Sequence, residues 1–176
     1  MRSPTPLPAV LVIMGVSGAG KSTAGENLAA EFGWPFRDAD SFHPPANVRK
    51  MSAGIPLNDD DRWPWLAAIA AWIDERRATG QHGIVTCSAL KRIYRDRLLA
   101  GRDDVRLVYL SGDIELIADR MGRRKNHFMP PALLKSQFAA LEEPAADENP
   151  LIVSIHTTPR RVAEQILAQL AMEERN

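Results

Sequence analysis

Three features of the 176-residue sequence predict a single α/β domain whose parallel sheet is covered by helices on both faces. Short apolar runs of strand length alternate with longer segments of helical period along the whole chain. A glycine-rich loop, GVSGAGKS (residues 15–22), follows directly on the first apolar run. No internal repeat or low-complexity linker divides the chain, and its length suits one domain rather than two.

Taken in order, AVLVIM (9–14) is continuously apolar, as a strand buried on both faces must be. The loop leads into a helix over 22–32, stopped by Gly33. WPF (34–36) begins a short strand ending at RDAD (37–40), and 45–51 makes a short helix ahead of Gly54. The clearest helix is NDDDRWPWLAAIAAWIDERRATG (58–80). Asn58 to Asp61 cap it, Pro64 is tolerated in its first turn, Leu66, Ile69 and Ile73 mark its buried face, and Arg76 and Arg77 suit its negative end. GIVTCSA (83–89) is the next strand, 90–100 a helix and VRLVYL (105–110) the fourth strand. Asp113 caps a helix reaching about Gly122; the basic GRRKNHFMPP (122–131) precedes a helix over 132–141. LIVSI (151–155) is the last strand and 159–173 the last helix.

Composition narrows the function. Hydrophobic residues make up 45% and charged residues 25%, which excludes a disordered chain. Twenty-two basic and 22 acidic residues give zero net charge, so no global field draws nucleic acid or anionic membrane. Cys87 is the only cysteine and lies in an apolar strand pattern, which reads as a buried residue in a reducing compartment. No apolar run reaches membrane-spanning length. Residues 1–8, MRSPTPLP, read as a flexible tail ahead of one domain over 9–176, and the expected location is cytoplasmic.

The loop matches G-x-x-x-x-G-K-[ST] in full and has the required strand before it and helix after it. Gly15, Gly18 and Gly20 let the backbone turn its N–H groups onto phosphate oxygens. Gly15, Val16, Ser17, Gly18, Ala19, Gly20, Lys21, Ser22 and Thr23 are the expected nucleotide contacts: Lys21 reaches the β- and γ-phosphates and the Ser22 hydroxyl ligates Mg²⁺. The helix that starts there adds its positive end. A guanine-specifying N-K-x-D string is absent, and no strand ends directly in an aspartate of the Walker-B kind. RDAD supplies the acidic groups instead. Asp38 and Asp40, two residues apart on an extended segment, would face one side, Asp38 toward the Mg²⁺ water shell and Asp40 as base for an attacking hydroxyl.

The strings GVSGAGKST, DADSFHPPANVRKMSAGIPLNDDDRWPWL, CSALKRIYRDRL, VYLSGD and RRKNHFMPPALLKSQFAALEEP together resemble gluconate kinase, a P-loop enzyme of the nucleoside-monophosphate-kinase-like group. The resemblance covers nearly the whole chain in order. It implies a three-layer fold with a five-stranded parallel sheet, a mobile basic lid over about 121–131, ATP-dependent phosphorylation of D-gluconate at its terminal hydroxyl, and a homodimer. By match to the family's lid string, Arg124 meets the transferring phosphoryl group with Arg120 helping, and His127 joins the substrate contacts. Where the family carries Gly in that string this chain has Asn126, a residue that tolerates left-handed backbone.

A small, anionic, hydroxylated acceptor needs a cation and several hydrogen-bonding partners. HPPANVRK supplies His43 and Arg49 beyond the aspartate pair, and CSALKR supplies Ser88 and Lys91 at the end of the third strand, where open α/β sheets bind ligands. Two competing readings are a kinase for another hydroxyacid or polyol such as shikimate, and an ATP-binding regulatory module without turnover. The HPPANVRKM…NDDDR segment argues against the first. Lys21, Asp40 and a basic lid in one chain argue against the second, since a sensor has no use for a base.

Overall fold

The structure is a computed structural model that describes residues 7–123 and 131–175. Its five strands are β1 (Val10–Met14), β2 (Phe36–Asp38), β3 (Gly83–Thr86), β4 (Val105–Ser111) and β5 (Leu151–Ser154). They form one parallel sheet in the order β2-β3-β1-β4-β5. The helices are α1 (Lys21–Phe32), α2 (Pro45–Ser52), α3 (Asp59–Ala78), α4 (Arg92–Leu99), α5 (Ile114–Arg123), α6 (Pro131–Ala140) and α7 (Pro159–Glu174). Two short 3-10 turns, Ala39–Phe42 and Ala146–Glu148, complete the elements.

The sheet is buried on both faces because side chains alternate along each strand. In β1, Leu11 and Ile13 enter a core built with Leu28 of α1, Ile117 of α5, Leu134 of α6 and Ile166 of α7. Val10, Val12 and Met14 enter the opposite core with Leu66, Ile69 and Ile73 of α3 and Leu98 of α4. All five residues of β1 are fully buried, which accounts for the unbroken apolar run. At the sheet edge β5 alternates instead: Leu151 and Val153 are buried and Ile152 is exposed.

Helix ends fall where the sequence signals them. Gly33 closes α1 in the left-handed region with φ 68°. Asn58 and Asp61 form a reciprocal capping box at the start of α3, and Asp113 accepts a 2.8 Å bond from the Leu116 N–H at the start of α5. Among the described residues no helix is long and apolar enough to cross a membrane.

One expectation needs correction. Asp38 ends β2, but Asp40 does not continue an extended segment, because it lies in the 3-10 turn Ala39–Phe42. The Asp38 carboxylate causes the bend: its Oδ1 accepts the Asp40 backbone N–H at 2.9 Å, a local turn that competes with extension. Both carboxylates still lie near the Lys21 ammonium, and Asp38 in addition accepts the Ser22 hydroxyl.

Candidate active site

Parallel strands deliver all their C-terminal ends to one side, and β1 lies where the connections diverge, to β3 on one flank and β4 on the other. The loop after β1 sits at that point. Gly18 and Gly20 adopt φ of 83° and 90°, which L side chains resist. A Cβ at Gly18 would lie 2.8 Å from the Met121 sulfur of α5, so that side chain would have to shift as well.

Lys21 begins α1, and its Nζ donates to the Gly15 and Val16 carbonyls at 3.0 Å each. Burial pushes its pKa below the ordinary lysine value, while Cys87, Asp38 and Asp40 pull it back up. A desolvated ammonium held on its own loop is a charge waiting for an anionic partner. The Ser22 hydroxyl donates to Asp38 Oδ2 at 2.8 Å, so the two residues expected to serve a metal stand together. They offer two hard oxygens, a donor set that suits Mg²⁺ completed by water and phosphate. Cys87 is fully buried, and its thiol is pushed up to about 12, chiefly by desolvation, which makes it inert.

A cavity of about 240 Å³ opens beside the loop, between Gly18, Gly20 and Thr23 on one wall, Arg120 and Arg123 of α5 on another, and Thr157 and Pro159 on a third. Arg120 donates to the Ile155 carbonyl and, at 3.0 Å, to that of Thr157. That bonding holds Arg120 on the chain after β5, in the wall of the cavity that the loop also lines. Arg124 and His127 lie outside the described residues.

A second cavity, of about 350 Å³, is walled by α3, α4 and α6 with the segment after β3. Ser88 and Lys91 line it as expected, and Arg62, Trp65 and Tyr94 join them. Ser88 touches the loop directly, its carbonyl 3.4 Å from the Gly15 N–H. The Tyr94 hydroxyl donates to Asp59 at 2.5 Å, and Arg62 donates to the same Asp59 oxygen at 3.4 Å. The Tyr94 bond, with Lys91 and Arg62 nearby, holds the Asp59 carboxyl below its usual range. Asp59 thus positions Arg62, while the helix start is capped by Asn58 and Asp61.

His43 stacks on Trp65, ring centroids 4.5 Å apart and nearly parallel. Its tautomer follows from chemistry. The Asp61 carbonyl can only accept, so the Asn47 amide nitrogen faces it at 2.9 Å and offers its other hydrogen to His43 Nδ1 at 3.2 Å. The ring proton therefore sits on Nε2, which faces Asp40 at 4.0 Å. Burial lowers the His43 pKa, against the pull of Asp40 and with help from Arg62, so the ring is a neutral donor. Arg49 is exposed on α2 and makes no ion pair among the described residues; the structure does not bring it to the cavity.

The sequence model described as shikimate kinase matches residues 17–171. A gluconokinase from Gluconobacter oxydans is 45% identical over 95% of this chain and 94% of its own length. The thermosensitive gluconokinase of Escherichia coli is 46% identical over 88% of this chain and 83% of its own length. The crystal structure of a gluconokinase from Sinorhizobium meliloti, 44% identical, superposes with a TM-score of 0.84 over 98% of this chain and 97% of that one.

The chain belongs to the gluconokinase family.

It is an ATP-dependent small-molecule kinase. A solved shikimate kinase from Aquifex aeolicus, 16% identical with a TM-score of 0.57 over 93% of this chain and 96% of that one, shares the fold alone. On this gluconokinase scaffold Arg62 and Gln137 are among the cavity residues that had no role assigned from sequence. Arg62 belongs to the NDDDR string quoted for the resemblance, and only the bond to Asp59 and the cavity reveal its place. Gln137, on α6, belongs to the RRKNHFMPPALLKSQFAALEEP string, but its partner is Ser17 in the loop, 120 residues away, and no spacing points to that contact.

Proposed function

We propose that the protein transfers the γ-phosphoryl group of ATP to the terminal hydroxyl of D-gluconate, giving 6-phospho-D-gluconate. The observation that carries the reading is the second cavity: two cations, Arg62 and Lys91, and hydroxyl partners converge in a space that touches the P-loop at Ser88. A linear polyhydroxy carboxylate needs both features, charge for its acid group and polar contacts for its hydroxyls.

Each residue then has one task. The loop N–H groups and Lys21 hold the nucleotide phosphates, and Arg120 and Thr157 flank the rest of the nucleotide in the first cavity. Ser22 and Asp38 hold Mg²⁺, which would spread the charge of the phosphates when bound. Asp40, whose side chain is 90% exposed, takes the proton from the attacking hydroxyl. His43 Nε2–H donates to that hydroxyl and keeps its oxygen turned toward the phosphoryl group. Arg62, held by Asp59, and Lys91 bind the carboxylate. The protein works as a homodimer, for which Val48, Met51 and Ile55, all exposed on and just after α2, offer apolar surface, and it works in the cytoplasm.

The test is an acceptor panel. Purified protein with ATP and Mg²⁺ should release ADP far faster with gluconate than with shikimate, glycerate, AMP or glucose at equal concentration. Preference for another acceptor overturns the reading.

A further inference from the structure

We propose that Gln137 is a positioning residue that couples the acceptor cavity to the phosphate-binding loop, so that nucleotide and acceptor each tighten the binding of the other. The proposal rests on the second cavity being the gluconate site.

The geometry begins with Ser17, the third residue of GVSGAGKS. Its backbone N–H can only donate, so the oxygen of the Gln137 carboxamide must face it, and does so at 2.7 Å. The carboxamide nitrogen then meets the Ser17 hydroxyl and donates at 2.9 Å. Both polar atoms of one side chain are thus spent on one loop residue. The bonded N–H belongs to the stretch whose amides cradle phosphate, so whatever holds it sets where it aims.

The same side chain lines the acceptor cavity with Leu133, Ser136 and Ala140 of α6. Just beyond α6 the chain is fixed a second time. The Glu142 N–H donates to the Leu90 carbonyl at 2.8 Å, and the Glu142 carboxylate accepts the Arg92 N–H at 2.9 Å. Lys91, one of the two cavity cations, lies between those two residues. The α6 wall is therefore strung from the phosphate loop to the segment that carries an acceptor cation.

A ligand filling the cavity presses on a wall bonded at both ends, and a nucleotide in the loop fixes Ser17, where that wall is anchored. Both ligands favour the same arrangement, and their mutual effect must be equal in the two directions. Mere docking of α6 would need one bond to any loop atom, with no consequence for affinity. Coupling between sites is commonly about 5- to 150-fold, and short-range coupling through one shared side chain should reach at least the lower end.

Calorimetry of gluconate binding, with and without Mg²⁺ and a non-hydrolysable ATP analogue, tests the proposal. Wild type should bind gluconate at least about fivefold tighter with the analogue present. Gln137→Met keeps the side-chain volume and loses both bonds, so the enhancement should fall below about twofold, at the bottom of the usual range. Gln137→Glu can still accept from both Ser17 groups and should melt like wild type, yet it sets a negative charge against the phosphate site and should weaken the analogue. This second variant decides the matter if Gln137→Met does not fold. Enhancement that survives in Gln137→Met, or wild-type analogue affinity in Gln137→Glu, overturns the role of Gln137. Wild type that binds gluconate and analogue independently overturns the coupling alone, whereas wild type that binds no gluconate overturns the substrate reading beneath it.

Discussion

The phosphate-binding part of the nucleotide end is one continuous stretch, Gly15 to Thr23, with α5 and the segment after β5 only walling the rest of its cavity, whereas the acceptor end is gathered entirely from α3, α4, α6 and the segment after β3. A phosphate is met mainly by backbone, whose donors need only the right dihedrals, and glycines written next to one another supply them. A sugar acid is met by side chains, and each must be brought from a different element and held there by another residue. Arg62 is held by Asp59, His43 by Asn47 and Trp65, and α6 by Glu142. One end is a local structure and the other a tertiary one.

The largest test acts where the two ends meet. Asp40→Asn should lower kcat by roughly 10²- to 10⁴-fold, the usual worth of a general base, with nucleotide affinity unchanged by calorimetry. A loss smaller than about threefold would place the base elsewhere, since it falls far below that range. The contrast itself is sharpened by a pair of variants assayed side by side. Gly18→Ala forces a side chain into positive φ and against Met121, a strain of about 1–3 kcal/mol, and should weaken ATP about 5- to 150-fold while leaving gluconate affinity measured alone intact. Arg62→Met removes a charged hydrogen bond and should raise the KM for gluconate roughly tenfold to a hundredfold with little change in that for ATP. If either variant damaged both affinities equally, the two ends would be one structure and the contrast would fail.

The smallest effect concerns His43. Its native pKa is lowered from 6.5 by burial, so as pH falls below that value the unfolded chain takes up a proton that the folded chain refuses. Native stability should therefore be full above 6.5 and decline as pH drops toward the folded pKa. His43→Phe keeps the stack on Trp65 without titrating and should flatten that part of the profile in urea unfolding. An unchanged slope would assign it to other groups.

The same division explains what could be read from the sequence. Strands and helices were legible because their signals are local: the unbroken apolar run of β1, the Asn58 cap, the closing Gly33. The phosphate loop was legible for the same reason. That Ser88 and Lys91 line a cavity beside the loop was legible because strand ends in a parallel sheet share one side. The outward position of Arg49 was not legible, because helix phase decides which of two adjacent cations turns inward: Lys50 meets Asp61 at 2.8 Å and Arg49 is exposed. The extended backbone expected through Asp40 was misjudged because a side chain bending its own backbone leaves no trace in spacing. The contact of Gln137 with Ser17 could not be read, since nothing near Gln137 in sequence names Ser17.

One more contact joins distant parts of the chain. Arg95, on α4, has a side chain only 1% exposed and pairs with Glu148 at 2.6 Å, while its Nη1 donates to the Ala89 and Leu90 carbonyls. Ala89 is left-handed, with φ 45°, in the turn that carries Ser88 into the cavity. The arginine thus braces a bend that alanine resists, and its own charge is balanced by a residue 53 positions later. An unpaired buried charge is costly, on the order of 3–5 kcal/mol when one partner is missing. During synthesis the phosphate loop and its strand leave the ribosome early, and the acceptor turn gains its brace only once Glu148 has emerged. A chain released short of that point carries every residue of the nucleotide loop and all of Ser88, Lys91 and Arg62, yet lacks the counter-charge that sets the acceptor turn in place.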